Sequence, residues 1–253
     1  MAGNIDLHTH TMYSDGSLTP NQLVVKAKEV GLKAIALTDH DNIAATEVAM
    51  LKGKELGVEV IPAIELTAYM DENSDVSDLH ILGYFIDVRD RELRKKLEFY
   101  QKEREDKSRK VVKNLNAIGY RLEFNEVKKL AKGTIAGPHI AFLVIGKKDN
   151  EGKLREEFGK IPETGEFIQK YLTVGWPAYE ARVAATPKEA IDLIHQARGL
   201  AILAHPCWNL AEKDGKKLIF NDKVIEDLVK IGLDGIEVYA HRDNEADTKK
   251  CVE

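Results

Sequence analysis

Two histidines and an aspartate stand close together near the start of the sequence. The segment NIDLHTHTMYSDGS carries His8, His10 and Asp15, and it opens with a short apolar run that predicts a buried strand. Alternate side chains of a strand share a face, so Asp6, His8 and His10 point the same way. Burying three titratable groups side by side costs free energy unless something compensates them, and a metal ion would do so. This segment therefore predicts a metal site.

Further histidines and a carboxylate occur on other predicted strands. The strand KAIALTDH ends at His40, VEVIPAIEL contains Glu65 near its end, and GLAILAHP reaches His205. His80 opens or precedes a fourth strand, DLHILGYF, and is out of register with the others. Taken singly, a histidine at a strand end is more often a hydrogen-bonded surface or core residue than a metal ligand. Jointly they favour a nitrogen and oxygen site at the carboxyl edge of a sheet, suited to zinc, manganese or iron.

Alternating strand and helix patterns are expected to position these residues in an α/β fold with parallel strands. A first helix should begin after the capping box at Thr19 and end at Gly31, and a second should end at Gly57. From about residue 89 the pattern becomes helical and highly charged. We interpret residues 89–186 as an inserted helical domain, with its charge run on a solvated helix face, and residues 1–88 and 187–253 as the main domain.

Composition limits the classes of protein. The 253 residues are 43% hydrophobic and 31% charged with a net charge of −5, which indicates a globular protein with no global positive field for DNA. No apolar run reaches the length of a membrane helix, and no signal peptide is expected, which together predict a cytoplasmic protein. Cys207 and Cys251 are too few and too isolated to predict a disulfide. The sequence carries no signal for an oligomeric state.

The ordered motifs DLHTHTMYSDGSLTP, ALTDHDN, IPAIEL, HILGY, GPHIA, AILAHP and GLDGIEVY resemble the PHP (polymerase and histidinol phosphatase) domain family. The resemblance is strongest to stand-alone metal-dependent phosphoesterases that act on nucleotide 3′,5′-bisphosphates and short RNA. It implies a distorted (β/α)7 barrel with a helical, substrate-binding insertion. It also implies a site for two or three divalent metal ions (Mn, Zn or Fe) at the C-terminal face of the barrel.

The resemblance also implies roles for individual residues. His8 and His10 match ligands of the first metal, Glu65 bridges to the second, His80 and His205 complete the second, and Asp15 and His40 match the third. The predicted catalytic residues are Asp15, His40, Glu65 and His205. His139 of GPHIA matches part of the phosphate-recognition element of the family.

Two departures from the family pattern change the expectations. Gly137 stands where relatives often carry an arginine, so we expect His139 and cations of the insertion, such as Lys107, Arg109 and Lys132, to hold a second phosphate group. The family pattern continues past IEVY to a strand with a Ser-Asp-Phe-His-like motif that these 253 residues do not contain. We therefore expect a barrel without its last strand and a weakly held third metal, unless His241 or Glu237 takes over the missing ligand role.

The favoured function is hydrolysis of phosphate monoesters of nucleotides, or of short oligoribonucleotides, through a metal-activated water. The expected partner is thus a small phosphorylated molecule, with no membrane and no DNA. Two alternatives are a catalytically impaired metal- or nucleotide-binding module derived from such an enzyme, and a histidinol phosphatase-like activity. The GxSxG and P-loop signatures are absent, which leaves serine hydrolases and P-loop NTPases without support.

Overall fold

The computed structural model describes residues 4–70, 78–214 and 217–240, together with residues 248 and 251. Within them the strands are β1 (Ile5–Thr9), β2 (Ala34–Leu37), β3 (Glu59–Tyr69), β4 (Asp78–Tyr84), β5 (Leu200–Leu203), β6 (Ala211–Asp214), β7 (Lys217–Phe220) and β8 (Gly235–Ile236). The helices are α1 (Pro20–Glu29), α2 (Thr46–Leu56), α3 (Arg91–Ala117), α4 (Phe124–Leu130), α5 (Gly137–Gly146), α6 (Glu151–Phe158), α7 (Thr164–Tyr171), α8 (Pro187–Gln196), α9 (Pro206–Asn209) and α10 (Asp222–Lys230). A short 3₁₀ helix, Lys148–Asn150, precedes α6.

Six strands form one curled sheet in the order β1-β2-β3-β4-β5-β8. The pairs β1–β2, β2–β3 and β5–β8 are parallel. The α/β class is therefore confirmed, but the expectation of an all-parallel sheet is wrong, because β4 runs antiparallel to both β3 and β5. The (β/α)7 count stays a prediction. The hairpin of β6 and β7 was not predicted from the sequence.

The first two helices begin and end where the sequence predicts. Thr19 caps α1 by accepting a hydrogen bond from the backbone of Gln22, whose side chain in turn accepts one from Thr19 N. Pro20 occupies the first helical position, where its missing N–H costs nothing. Gly31 and Gly57 follow α1 and α2 with φ of 82° and 69°, in the left-handed region that favours glycine.

Separate apolar cores lie under the sheet and inside the predicted insertion. The largest sheet core includes Ile64, Leu66, Ile81, Ile191 and Leu203, and the insertion core includes Val112, Leu115, Tyr120, Leu154 and Phe167. Helix α3 contributes to both, because its first part packs Leu93, Leu97 and Tyr100 on the sheet core. The division into domains at residues 89 and 186 stays a prediction.

The charge run on α3 differs from the solvated face that we expected. Arg104, in the middle of the helix, keeps only 13% of its side chain exposed, and Ser108 is buried one turn further on. Gln101 also turns inward and donates from Nε2 to the carbonyl oxygen of Asp41, 2.8 Å away. One face of α3 therefore contacts the sheet edge through polar side chains.

The two cysteines, expected to be isolated, are neighbours. Cys207 lies in α9, Cys251 lies beyond β8, and their Sγ atoms are 3.2 Å apart in a buried position. Contact in the fold therefore brings together two residues that are 44 positions apart in the sequence. Across the described residues, no helix combines the length and the apolar character that crossing a bilayer requires.

Candidate metal centre

The carboxylate of Glu65 lies at the centre of the histidine cluster. Glu65 sits within β3 and is fully buried. Its Oε2 atom is 3.4 Å from His8 Nε2, 3.2 Å from His10 Nε2 and 3.1 Å from His40 Nδ1. Three imidazoles thus meet at a single carboxylate oxygen: His8 in β1, His10 just after it, and His40 after β2.

The other oxygen of Glu65 contacts two further imidazoles. Oε1 is 2.8 Å from His80 Nδ1 and 3.1 Å from His205 Nε2. The apparent misplacement of His80 in the sequence disappears in the fold, because β4 is antiparallel and its beginning lies at the edge where parallel strands end. Thr67, two residues beyond Glu65, pairs directly with His80 across the two strands. Glu65 therefore stands between five histidines.

Asp15 forms the outer part of the cluster. Its Oδ1 is 3.3 Å from His10 Nδ1 and its Oδ2 is 3.6 Å from His40 Nε2. Burial alone would raise the pKa of Asp15, but a hydrogen bond from His40 and the charges of His40 and His10 hold it well below its usual range. Asp15 is consequently ionised and available as an oxygen ligand.

Buried hydrogen bonds fix the loop that carries Asp15. Asp39, directly before His40, accepts from the backbone of Thr11 (2.7 Å), from its hydroxyl (2.6 Å) and from the hydroxyl of Ser14 (2.6 Å). Gly16 closes the loop against the carbonyl oxygen of His10, where any Cβ would clash. The turn after β1 is therefore anchored to the end of β2.

The cluster fits divalent metal ions. His40 Nδ1, Glu65 Oε2 and His205 Nδ1 are buried atoms without a hydrogen bond partner, which is costly for polar groups. Burial would raise the pKa of Glu65, but His40, His80 and the other imidazoles hold it well below its usual range, so its carboxylate stays ionised. Ligand atoms within 4.8 Å of one another form three sets: His8, His10 and Glu65; His10, Asp15 and His40; and His40, Glu65 and His80. Imidazole and carboxylate ligands suit zinc, manganese and iron.

The second predicted set, Glu65, His80 and His205, is also compact. His80 Nδ1 lies 3.2 Å from His205 Nε2, and both atoms face the same oxygen of Glu65. His205 follows β5 with a left-handed φ of 31°. Its ring stacks on that of Trp208 with 4.8 Å between centroids. The structure thus brings together every residue of the predicted ligand set, and the assignment of residues to particular ions stays a prediction.

Glu237, next to β8, contacts two of these histidines, whereas the sequence named it only as one of two residues that could take over the missing ligand role. Its Oε1 is 2.9 Å from His8 Nδ1, and its Oε2 accepts a 2.7 Å hydrogen bond from the backbone N–H of His205. Burial would lower the pKa of His8, but Glu237 and Glu65 outweigh it and raise the pKa to about 10. A carboxylate on Nδ1 leaves Nε2 aimed at Glu65, as in carboxylate–histidine–metal arrangements.

Glu237→Gln should therefore weaken metal binding by about 10- to 100-fold, since a neutral amide holds His8 less firmly in the ligating tautomer. Titration of the metal-free protein with metal in the presence of a competing chelator measures the metal affinity of each variant and does not depend on enzyme activity. Glu226→Gln, on the exposed face of α10, is the matched control. Equal affinities in the two variants would show that Glu237 does not position His8.

A cavity of about 300 Å³ opens beside the cluster. Asp15, His40 and His80 face it from the cluster, and α3, α5 and α7 supply most of its remaining wall. Its cationic wall residues are Arg104, Lys107 and Arg182, and its apolar ones include Val111, Ile135, Ile140, Ile168 and Leu172. The cavity is therefore a candidate substrate site with one polar and one apolar side.

The structure brings only part of the predicted substrate-binding set to this cavity. His139 Nδ1 accepts a 3.0 Å hydrogen bond from the backbone N–H of Ala136. Burial lowers the pKa of the His139 imidazole, and the negative charge of Asp15 opposes this effect. Arg109 is half exposed and pairs with Glu105 at 2.6 Å, and Lys132 lines a neighbouring cavity. The structure does not bring Arg109 or Lys132 to the cavity beside the cluster, and their roles stay predictions. It brings Lys107, one of the expected cations, to this cavity together with Arg104 and Arg182, which no local sequence signal marked.

An α/β sheet with a histidine and carboxylate cluster at one edge defines the framework of a metal-dependent hydrolase. This chain belongs to the PHP domain family, whose sequence model matches residues 6–161. The predicted family is thereby confirmed.

Individual relatives agree with this membership. The chain is 31% identical over 224 residues to a 5′-3′ exoribonuclease of Haemophilus influenzae, which covers 88% of this chain and 76% of the relative. It is 28% identical over 238 residues to a 3′,5′-nucleoside bisphosphate phosphatase of Chromobacterium violaceum, covering 93% and 76%. Both names describe hydrolysis of phosphoric esters, which confirms the predicted class of enzyme, a metal-dependent phosphoric ester hydrolase.

A solved structure shows the same fold. An amidohydrolase from Chromobacterium violaceum, with bound sulfate and no metal, superposes with a TM-score of 0.80 at 26% identity over 98% of this chain and 81% of that one.

Proposed function

We propose that this chain hydrolyses phosphate monoesters of nucleotides, such as 3′,5′-bisphosphates, or short oligoribonucleotides, with two or three divalent metal ions. The observation that carries the proposal is the buried carboxylate of Glu65 held between five imidazoles, two of which also line the neighbouring cavity. Such an arrangement is costly in a metal-free protein and suits a bridging ligand of neighbouring cations.

The chain's own residues have separable tasks in this proposal. His8 and His10 would hold one ion together with Glu65, and His80 and His205 would hold another on the other side of the same carboxylate. Asp15 and His40 hold the third, at the side that faces the cavity. When bound, divalent ions polarise the phosphoryl group and supply a nucleophilic water at neutral pH.

The cavity supports a nucleotide as the substrate. Its cationic residues suit phosphate groups, and its apolar wall suits a base. Two relatives are named for action on RNA and on nucleoside bisphosphates, and the related solved structure holds sulfate, an anion of phosphate shape. These observations favour a phosphorylated nucleotide over histidinol phosphate.

The test is phosphate release by the purified protein with Mn²⁺. Adenosine 3′,5′-bisphosphate should be hydrolysed, and histidinol phosphate should be a poorer substrate. A short 5′-phosphorylated oligoribonucleotide, analysed for released mononucleotide, separates the monoesterase from the nuclease reaction. A protein that is inert on all three substrates with Mn²⁺, Zn²⁺ and Fe²⁺ would refute the proposal and leave only a binding role.

A further inference from the structure

The two cysteines of the chain form a buried pair close to the metal centre. Cys207 lies in α9 with 7% of its surface exposed, and Cys251 lies beyond β8 with 9% exposed. Their Sγ atoms are 3.2 Å apart. They are the only cysteines among the 253 residues, and the proposed function uses neither of them. The pair is therefore a reactive feature that the metal centre does not explain.

Two kinds of chemistry could use a pair of neighbouring sulfurs, and the surroundings of this pair favour one of them. A zinc site needs three or four protein ligands, and the metal-ligand sets formed by the described residues include neither cysteine. A disulfide needs only two sulfurs within reach of each other. The gap between the present separation and a bond of about 2.05 Å is small enough for a slight rotation of each side chain to close it.

We propose that Cys207 and Cys251 are a modification site at which a peroxide closes a reversible disulfide. One sulfur attacks hydrogen peroxide, which gives a sulfenic acid and one water, and the other sulfur then displaces a second water. Two thiols and one peroxide become one disulfide and two waters, so two electrons pass from the sulfurs to the peroxide oxygens and the thiol protons leave in the waters. The small exposed fraction of each residue leaves the pair at the edge of the interior, within reach of a small oxidant.

The disulfide would fasten α9 to the part of the chain that follows β8. Cys207 lies two residues after His205, and Trp208 of the same helix stacks on the His205 ring with 4.8 Å between centroids. Glu237, next to β8, already accepts a 2.7 Å hydrogen bond from the backbone N–H of His205. A covalent link across 44 positions of the sequence adds a second connection and suppresses local opening of α9. The modification therefore rigidifies the turn that carries a predicted metal ligand.

Oxidation of the purified chain tests this inference. The reduced, chelator-treated protein is exposed to hydrogen peroxide, and its peptides are mapped without reduction. We expect a crosslink between Cys207 and Cys251 with the loss of two hydrogen masses, reversed by dithiothreitol, and a melting temperature about 5 °C or more higher in the oxidised form. Hydrogen exchange of the backbone amides of α9 should slow about tenfold on oxidation.

Cys207→Ser and Cys251→Ser are the matched controls, because each keeps one sulfur and cannot form the link. Peroxide should leave their melting temperatures unchanged, and thermal unfolding under reducing conditions confirms that both variants are folded. Recovery of both wild-type cysteines unlinked after peroxide, or sulfinic acid at either one without a crosslink, would overturn the proposal. A crosslink without slower exchange in α9 would refute the effect on the turn at His205. None of these readouts needs a substrate or a metal, so the result is independent of the proposed function.

Discussion

Glu65→Gln should remove nearly all phosphoesterase activity. The amide keeps the shape of the side chain but loses the charge that both groups of histidines face. If bound ions contribute several kcal/mol to transition-state stabilisation, their loss lowers the rate by about 10³-fold or more. Metal content after dialysis should fall together with kcat.

Glu59→Gln is the matched control for this variant. Glu59 begins the same strand as Glu65 but is exposed. It should keep wild-type metal content and rate. A folded Glu65→Gln protein with the metal content of Glu59→Gln would show that Glu65 is not a bridging ligand.

Asp41→Asn should cause the largest loss of stability. The substitution is nearly isosteric, and asparagine tolerates the positive φ of 47° at this position, so it changes the charge with little strain. Oδ2 of the buried Asp41 accepts from Arg104 Nε at 2.6 Å and from Arg182 Nη2 at 3.2 Å. Loss of this carboxylate charge leaves both arginines uncompensated, which costs about 3–5 kcal/mol of unfolding free energy. Chemical denaturation measures this loss of unfolding free energy.

Asp192→Asn, which removes an exposed partner of Lys188, is the control and should change the stability little. Equal losses of stability in both variants would show that Asp41 does not compensate the two buried arginines.

Asp41 and its two arginines also predict a pH dependence of stability. Burial would raise the pKa of Asp41, but Arg104 and Arg182 lower it below the ordinary carboxyl value. A lowered pKa in the folded state contributes stability that is complete above the ordinary value near 4 and is lost as the pH falls through the folded value. The difference in stability between wild type and Asp41→Asn should therefore shrink under acid conditions and persist at neutral pH.

The sequence predicted that these histidines and carboxylates would come together, because they are chemically distinctive and lie on or beside predicted strands. Periodicity and helix caps located β1, β2, α1 and α2 closely. The direction of β4 could not be predicted, because an apolar strand pattern is the same in either direction. For that reason His80 looked misplaced until its pairing with Thr67 was known.

The cationic wall and the contacts that Glu237 makes could not be predicted from the sequence for a different reason. Arg182 meets Asp41 across 141 positions, and Glu237 meets His8 across 229. Arg104 stands in a run of charged residues, where each one is locally explained by solvent exposure. Such contacts depend on tertiary packing, so they cannot be predicted from the composition of the local sequence. Residues 241–247, including His241, lie outside the described residues.

Titration of the metal-free protein with Mn²⁺ tests the central claim most directly, with bound metal and the initial rate of phosphate release measured on the same samples. Adenosine 3′,5′-bisphosphate serves as the substrate. The Glu65 centre predicts more than one tightly bound ion per chain, with the rate rising as the second ion binds. One bound ion or none, with no phosphate release at any occupancy, would contradict it.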